Sequence, residues 1–401
     1  AEYSPDAHRG KYTSYIQTTA TLGFFVSILV ILACQMIMGE TVFKEWGWRV
    51  PFALSGILVI VSYFIRRNMH ESPLFSRLRK EGKLSENPLK EAFASKSNRR
   101  LMLIAMLGAM SLNYLTGCAG LISIGHAAFY ATGAMTAAIT GTQLGWPFPL
   151  VLLAAGISGA LVGTLAGLPS LRVRGLYFVL STLAVHYVVV YVFLEYQFKY
   201  FDVVGVPFNP ATLGSFELNT PMRWYFFLLP LVALVYWGLK NTLNTREGRV
   251  MMAMRDHELA TTSVGVDVRI LRLKAFAFSS SIASMAGALY AYFMSNATSE
   301  AFGINFAIQF IAMIIIGGMG SLGGALIGAA VWLLLPSIIT GFASQASGST
   351  GLVHLLLVEH KAQLVQLIFG TLIILLLIFA PSGLAGIGQK IRARFSNKGE
   401  A

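Results

Sequence analysis

Gly248-Arg249-Val250-Met251-Met252-Ala253-Met254-Arg255-Asp256-His257-Glu258-Leu259-Ala260 is a short, helix-prone, amphipathic stretch set between two apolar runs, 224–239 and 275–294. A charged connection between runs approaching the length of a bilayer crossing (about 20 apolar residues) is what a chain shows where it leaves a membrane and returns. The composition agrees. Of 401 residues, 55% are hydrophobic and 12% charged, against about 25% charged in an average soluble domain.

Outward from this stretch, further apolar runs lie at about 16–38, 50–65, 101–122, 126–144, 147–168, 176–194, 305–318, 324–340 and 363–380. All read as helices, because lipid forces backbone polar groups to pair within a segment. The expected fold is an all-α, polytopic bundle of ten or eleven apolar segments. The runs 101–122 and 305–318 carry Gly and polar residues, and are expected to be broken or re-entrant. The net charge of +12 sits in the connections: ten Lys/Arg in Arg66–Arg100, seven in Lys240–Lys274 and four in the tail from Lys390. That is the pattern of loops retained in the cytoplasm rather than of a nucleic-acid partner. The stretches 195–222 and 341–362, poor in Arg, read as external. Cys34 and Cys118 lie in apolar runs and suggest neither a disulfide framework nor a metal cluster. Residue 1 is Ala, and the opening residues read as a loop entered midway. Counting spans back from the tail puts 240–274 and Leu171–Arg174 on one side. The count then fails by one span at Arg66–Arg100, which should share that side.

A rigid helix between two spans can carry the movement of a separate motor into the membrane. The residues alone serve equally for a solvated connecting helix. Gly318-Met319-Gly320-Ser321-Leu322-Gly323 matches the dinucleotide pattern G-x-G-x-x-G, but the next acid is Glu359 and the flanks are membrane-apolar. Close helix approach through Gly320-x-x-x-Gly324, or a helix break near a substrate path, fits better. His126 opens a span beside Ser123 and Gly125. A hydrogen-bonded helix-start residue is the favoured reading over a proton relay. His186 and Glu195 are weaker relay candidates. His257-Glu258 has no second His at 261, and no G-x-x-x-x-G-K-[ST] occurs, so ATP hydrolysis has to come from other chains.

Asn113-Tyr114-Leu115-Thr116-Gly117-Cys118-Ala119-Gly120 with Ser123-Ile124-Gly125-His126-Ala127-Ala128-Phe129 resembles the early signature of branched-chain amino-acid ABC importer permeases. Leu168–Tyr177, Gly248–Ala260 with Gly265-Val266-Asp267, Ser284–Tyr290, Gly317–Gly324 and Ala380–Gly386 follow in that family's order, from about residue 110 to 390. Leu121, where the family favours Gln, Met135, where it favours an aromatic, and the lack of a Thr-Gly-Gly stretch around Phe198–Gly205 depart from it. The resemblance implies no catalytic residue, no metal and no cofactor of its own. It implies a second related permease subunit, two ATP-binding subunits, a periplasmic substrate-binding protein and a place in the bacterial inner membrane. It makes Gly248, Arg249, Ala253, Arg255, Asp256, Glu258, Ala260 and Gly265 the expected coupling loop. Asn113, Ser123, Gly125, His126, Gly318, Gly320 and Gly323 are the expected translocation path or helix break. Leucine, isoleucine and valine are the implied cargo, with urea or short amides the alternative.

Residues 1–109 differ. Glu2–Pro5 with His8-Arg9-Gly10, Trp46–Phe52, Glu71–Phe75 and Asn87–Lys90 resemble the metabolite–proton symporter branch of the major facilitator superfamily. They correspond to two spans, a central cytoplasmic loop and the start of a third span. Such a piece lacks the two half-bundles that symport needs, so symport, or a non-functional hybrid, stands as an alternative. The expected division is 1–109, a permease domain over 110–390 and a basic tail, 391–401. One opening helix exchanged for two accounts for the failed span count.

Overall fold

A computed structural model describes residues 30, 33–39, 42–47, 49–50, 96–173, 175–201, 205–213, 216–263, 265–345, 361–380 and 382–387. The chain divides into two units, Ala1–Leu84 and Ser85–Ala401. In the first, the described residues hold helix at 33–38 and a π-turn at Phe43–Gly47. Most of 16–38 and 50–65, the stretch 66–95 and the tail from Lys390 lie outside the described residues.

The second unit is built of helices: α1 (Lys96–Leu112), α2 (His126–Ala137), α3 (Phe148–Gly167), α4 (Leu176–Tyr200), α5 (Pro221–Asn244), α6 (Arg246–Asp256), α7 (Glu258–Ser263), α8 (Val268–Met294), α9 (Ile304–Gly317), α10 (Leu322–Gln345) and α11 (Lys361–Phe379). α1 runs on through a π-turn, Asn113–Cys118, and α2 through another, Ala138–Gln143. Six helical stretches among the described residues are long and apolar enough to cross a membrane: Arg99–Cys118, Phe148–Leu171, Leu176–Tyr200, Pro221–Asn244, Ser299–Gly317 and Leu322–Phe342. The chain is a multi-pass helical membrane protein, as its composition required.

Small residues build the centre. α8 packs against α3, α2 and α1. Its Ser279, Ser280 and Ser284 are fully buried. Ser279 Oγ donates to the Ser111 carbonyl at 2.6 Å, tying α8 to α1. Gly159 and Gly163 of α3 lie against Ser280 and Ser284, and Gly133 of α2 against the Ser284 backbone. Without a hydrophobic drive between helices in lipid, such close approach supplies the packing energy. This explains why α8 is absent from the six most apolar stretches: an interior helix needs no oily face. α4 and α5 show the opposite, with Leu176, Tyr177, Tyr191, Phe226, Leu234 and Trp237 each at least 60% exposed.

α9 and α10 form a hairpin, onto which α11 packs through Trp332 stacked on Phe369 at 4.0 Å. The close approach in this hairpin uses Gly317, Gly324 and Gly328 rather than the expected Gly320-x-x-x-Gly324 spacing. Gly320 sits outside both helices, in the turn. Two features were not expected. β1 (Val206–Pro207) pairs antiparallel with β4 (Asn296–Ala297), and β2 (Thr212–Leu213) with β3 (Phe216–Glu217). Two-residue strands are too short to show a period.

Candidate functional site

α1 changes to π-helical winding at Asn113. The side chain of this buried residue faces the turn between α9 and α10. Its amide nitrogen donates to the Ser321 carbonyl at 2.7 Å, and its Oδ1 accepts from the Gly320 N–H at 2.9 Å. One side chain thus pairs both backbone groups of a turn that neither helix can satisfy. The turn needs its glycines: Gly318 and Gly320 have φ of 116° and 85°, a region that residues with a Cβ rarely enter.

The loop Gly248–Ala260 reaches this π-turn. It is two helices, α6 and α7, parted at His257. Thr245 caps α6 by accepting from Gly248 N–H at 3.2 Å, as a helix start prefers. Gly248 lies against the backbone of Thr242 and Leu243, where a Cβ has no room. Arg249 donates to the Asn244 carbonyl at 2.7 Å, closing the end of α5. Gly248, Met251 and Met254 are buried, which turns Arg255 toward α1. Arg255 donates from Nη1 to the Gly117 carbonyl at 2.8 Å, and its Nε and Nη2 each lie 2.8 Å from Asp256 Oδ1. Gly120, with φ of 72°, passes so close that a Cβ there would fall 2.7 Å from Arg255 Cγ. Asn113, Gly117, Gly318, Gly320 and Arg255 therefore form one junction of three chain segments.

A second tie lies one turn on. Glu258 of α7 pairs with Arg272 of α8 at 2.6 Å, and Arg272 also donates to the Ser170 carbonyl. Glu247 pairs with Lys274 at 2.6 Å, with both side chains more than half exposed. Gly265, with φ of 84°, makes the turn before α8, where Asp267 caps by accepting from Arg269 N–H at 2.9 Å. Ala253, Asp256, Leu259 and Ala260 face outward. Leu259 is 80% exposed, and the sequence reading passed over it. An apolar side chain in a charged loop was its only signal.

The other expected path residues are elsewhere. His126 is fully buried at the start of α2, with Nε2 2.8 Å from Ser111 Oγ and its ring edge-on to Phe129 and Phe310. Ser111 Oγ donates its one proton to the Gly108 carbonyl, so the imidazole donates through Nε2. Ile124 N–H donates to Thr182 Oγ1 at 3.3 Å, and Gly125 lies against the Thr182 carbonyl, stitching this start to α4. Ser123 is buried nearby, and Gly323 opens α10 with free space around it.

Basic side chains lie at both ends of α1. Its far end brings Arg99 over Tyr225 of α5, 5.5 Å from the ring centre, and Arg100 over Phe293 of α8 at 4.9 Å. Tyr225 begins α5 and Phe293 ends α8, whereas α6 and α7 join the other ends of those two helices. Arg99 and Arg100 are therefore at the end of the bundle opposite Arg255.

The sequence model of the family described as "Branched-chain amino acid transport system / permease component" matches residues 99–377. That of the family described as "Sugar (and other) transporter" matches residues 1–100. The chain is 27% identical over 312 residues to the high-affinity branched-chain amino acid transport system permease protein LivM of Escherichia coli, covering 71% of this chain and 68% of that protein. The LivM of Salmonella typhimurium is 27% identical over 311 residues, with the same coverage, 71% and 68%. Over 88 residues the chain is 38% identical to the inner membrane metabolite transport protein YhjE of Escherichia coli, 22% of this chain and 20% of that protein. No solved structure matches. With a family model spanning most of its length and its motifs converging on one junction, the chain belongs to the permease components of branched-chain amino acid transport systems, preceded by a segment similar to the sugar and metabolite transporters.

Proposed function

We propose that this chain is the membrane subunit of an ATP-driven importer of leucine, isoleucine and valine in a bacterial inner membrane. It works with a second related permease, two ATP-binding subunits and a periplasmic binding protein. α6 and α7 are the contact with the ATPase, through the outward face of Ala253, Asp256, Leu259 and Ala260. Arg255 and Glu258 carry the movement inward. The observation that supports this most is the hydrogen bond from Arg255 to Gly117. It joins the α6–α7 loop to the π-turn that ends α1, and through Asn113 to the α9–α10 turn. A push on α6 thereby reaches three helices at once, and a bistable junction of this kind can open a path between the two permeases. We further propose that the two parental segments meet within α1, and that α6 and α7 are cytoplasmic.

The test is Arg255→Ala in the assembled transporter in proteoliposomes. Leucine uptake per ATP hydrolysed is expected to fall at least tenfold while the ATPase still co-purifies. Uptake and hydrolysis that stay in proportion, as in the wild type, overturn the coupling role.

A further inference from the structure

The connection from α3 to α4 includes a single 3-10 turn, Leu168–Leu171, and it is pinned to α8 at two neighbouring levels. Gly167 lies against the Phe276 ring, so close that a Cβ there would fall 3.0 Å from Phe276 Cγ. Phe178 of α4 meets the same ring edge-on at 5.6 Å. One helical turn before Phe276, Arg272 donates from Nη1 to the Ser170 carbonyl at 2.5 Å. Apolar contact with Phe276 already holds the connection on α8. The guanidinium reaches further: its Nη2 lies 2.6 Å from Glu258, the first residue of α7.

α7 brings little packing of its own. Of its six residues, Thr261 alone is buried, and a cavity of about 390 Å³, lined in part by Gly120, Phe178, Glu258 and Arg272, opens beside it. The backbone leaves helical geometry at His257, with φ of −147° and ψ of 89°, which parts α7 from α6. α7 thus departs from α6 at a bend and meets the bundle through a charged clasp next to that bend. A buried ion pair adds little stability that apolar residues of the same size would not. What it adds is direction. The planar fork of an arginine can hold a carboxylate and a carbonyl together, whereas an ammonium is a point charge.

We propose that Arg272 is a positioning residue that passes the movement of α7 to the α3–α4 turn. The inference rests on the coupling role proposed for α6 and α7, and it names a second receiving end. Arg255 conveys displacement of α6 to α1 and the α9–α10 turn. Arg272 conveys displacement of α7 to the backbone of the α3–α4 turn, through the Ser170 carbonyl, so that α3 and α4 shift with it. The bend at His257 lets α6 and α7 move by different amounts. One loop then drives two sets of helices, as a two-state junction can.

Two measurements test this on the full chain. Spin labels on cysteines at Ala260 and Arg172, both exposed, report the distance from α7 to the turn in detergent with no ATPase present, Cys34 and Cys118 being changed to Ala. Leucine uptake per ATP hydrolysed is measured in the assembled transporter in proteoliposomes. The variants are Arg272→Lys, and Arg272→Met combined with Glu258→Gln, which strands no charge. Elution as a single species and co-purification of the ATPase show that each is folded. A narrow distance distribution is expected in the wild type and a broad one in both variants, with uptake per ATP at least fivefold lower in both. A distribution that stays narrow in the double variant overturns the clasp. Broadened distances with unchanged uptake per ATP, or less folded transporter with unchanged uptake per ATP, leave Arg272 a structural role only and overturn the transmission. Arg272→Lys matching the wild type in both measurements overturns the part given to Ser170. A wild type that imports no leucine with ATP refutes the proposed function instead, and the distances then decide whether Arg272 holds α7 to the turn.

Discussion

Asn113 does with one amide what a strand edge would do with its backbone, holding an N–H and a C=O of a turn about 200 residues away. Asn113→Leu keeps the bulk and removes both bonds. The Gly320 N–H and Ser321 carbonyl, which lie in a part-buried turn, then lose their partners, at about 0.5–1.5 kcal/mol per bond. A clear drop in thermal stability in detergent is expected, and a melting curve matching the wild type would remove Asn113 from this role. Gly320→Ala tests the same turn from the other side, since a Cβ at positive φ costs about 1–3 kcal/mol. These residues were legible only as motif positions. Their sequence neighbours do not show that Asn113, Arg255 and Gly320 meet, because the bonds that join them, Arg255 to Gly117 and Gly320 to Asn113, span 138 and 207 residues. His126 was legible from its setting: a polar residue opening an apolar helix, which the structure shows hydrogen-bonded to Ser111.

Helices sort by what surrounds them. α8 and α2 hold Ser, Thr and Gly where they touch protein, while α4 and α5 carry large apolar side chains outward. Among the described residues, the placing of the six long apolar helices followed from hydropathy, because lipid permits little else. Which spans are central did not, since hydropathy is blind to neighbours. The contact of α3 with α8 is the most sensitive to added bulk. Gly159→Leu drives a branched side chain into Ser280 and Ser284, and overpacking of this kind costs typically 1–3 kcal/mol or more. The expected result is loss of the monodisperse species on size exclusion, with Gly238→Leu, which has open space around it, behaving as the wild type.

The molecule as a whole carries basic residues at both ends of its bundle. Counting spans exposed a conflict of one crossing, and α1 shows its origin: the helix runs from Arg99 and Arg100 at one end to Gly117, beside Arg255, at the other. Cysteines at Arg100 and Ala260 are expected to be labelled from opposite sides of the membrane by an impermeant reagent. Labelling of both from the same side would contradict this path for α1.

That placing sets the chain against the cell's own voltage. In the proposed orientation, with α6 and α7 inside, Arg99 and Arg100 face outward against an inside-negative potential, at about 2.3 kcal/mol per charge for every 100 mV. Their seats over Tyr225 and Phe293 return about 0.5–2 kcal/mol each. The electric field thus opposes this orientation of α1, and the two aromatic rings are part of what supports it. Dissipating the field during synthesis is expected to raise the share of chains with Arg100 outside, and Tyr225→Leu with Phe293→Leu to lower it.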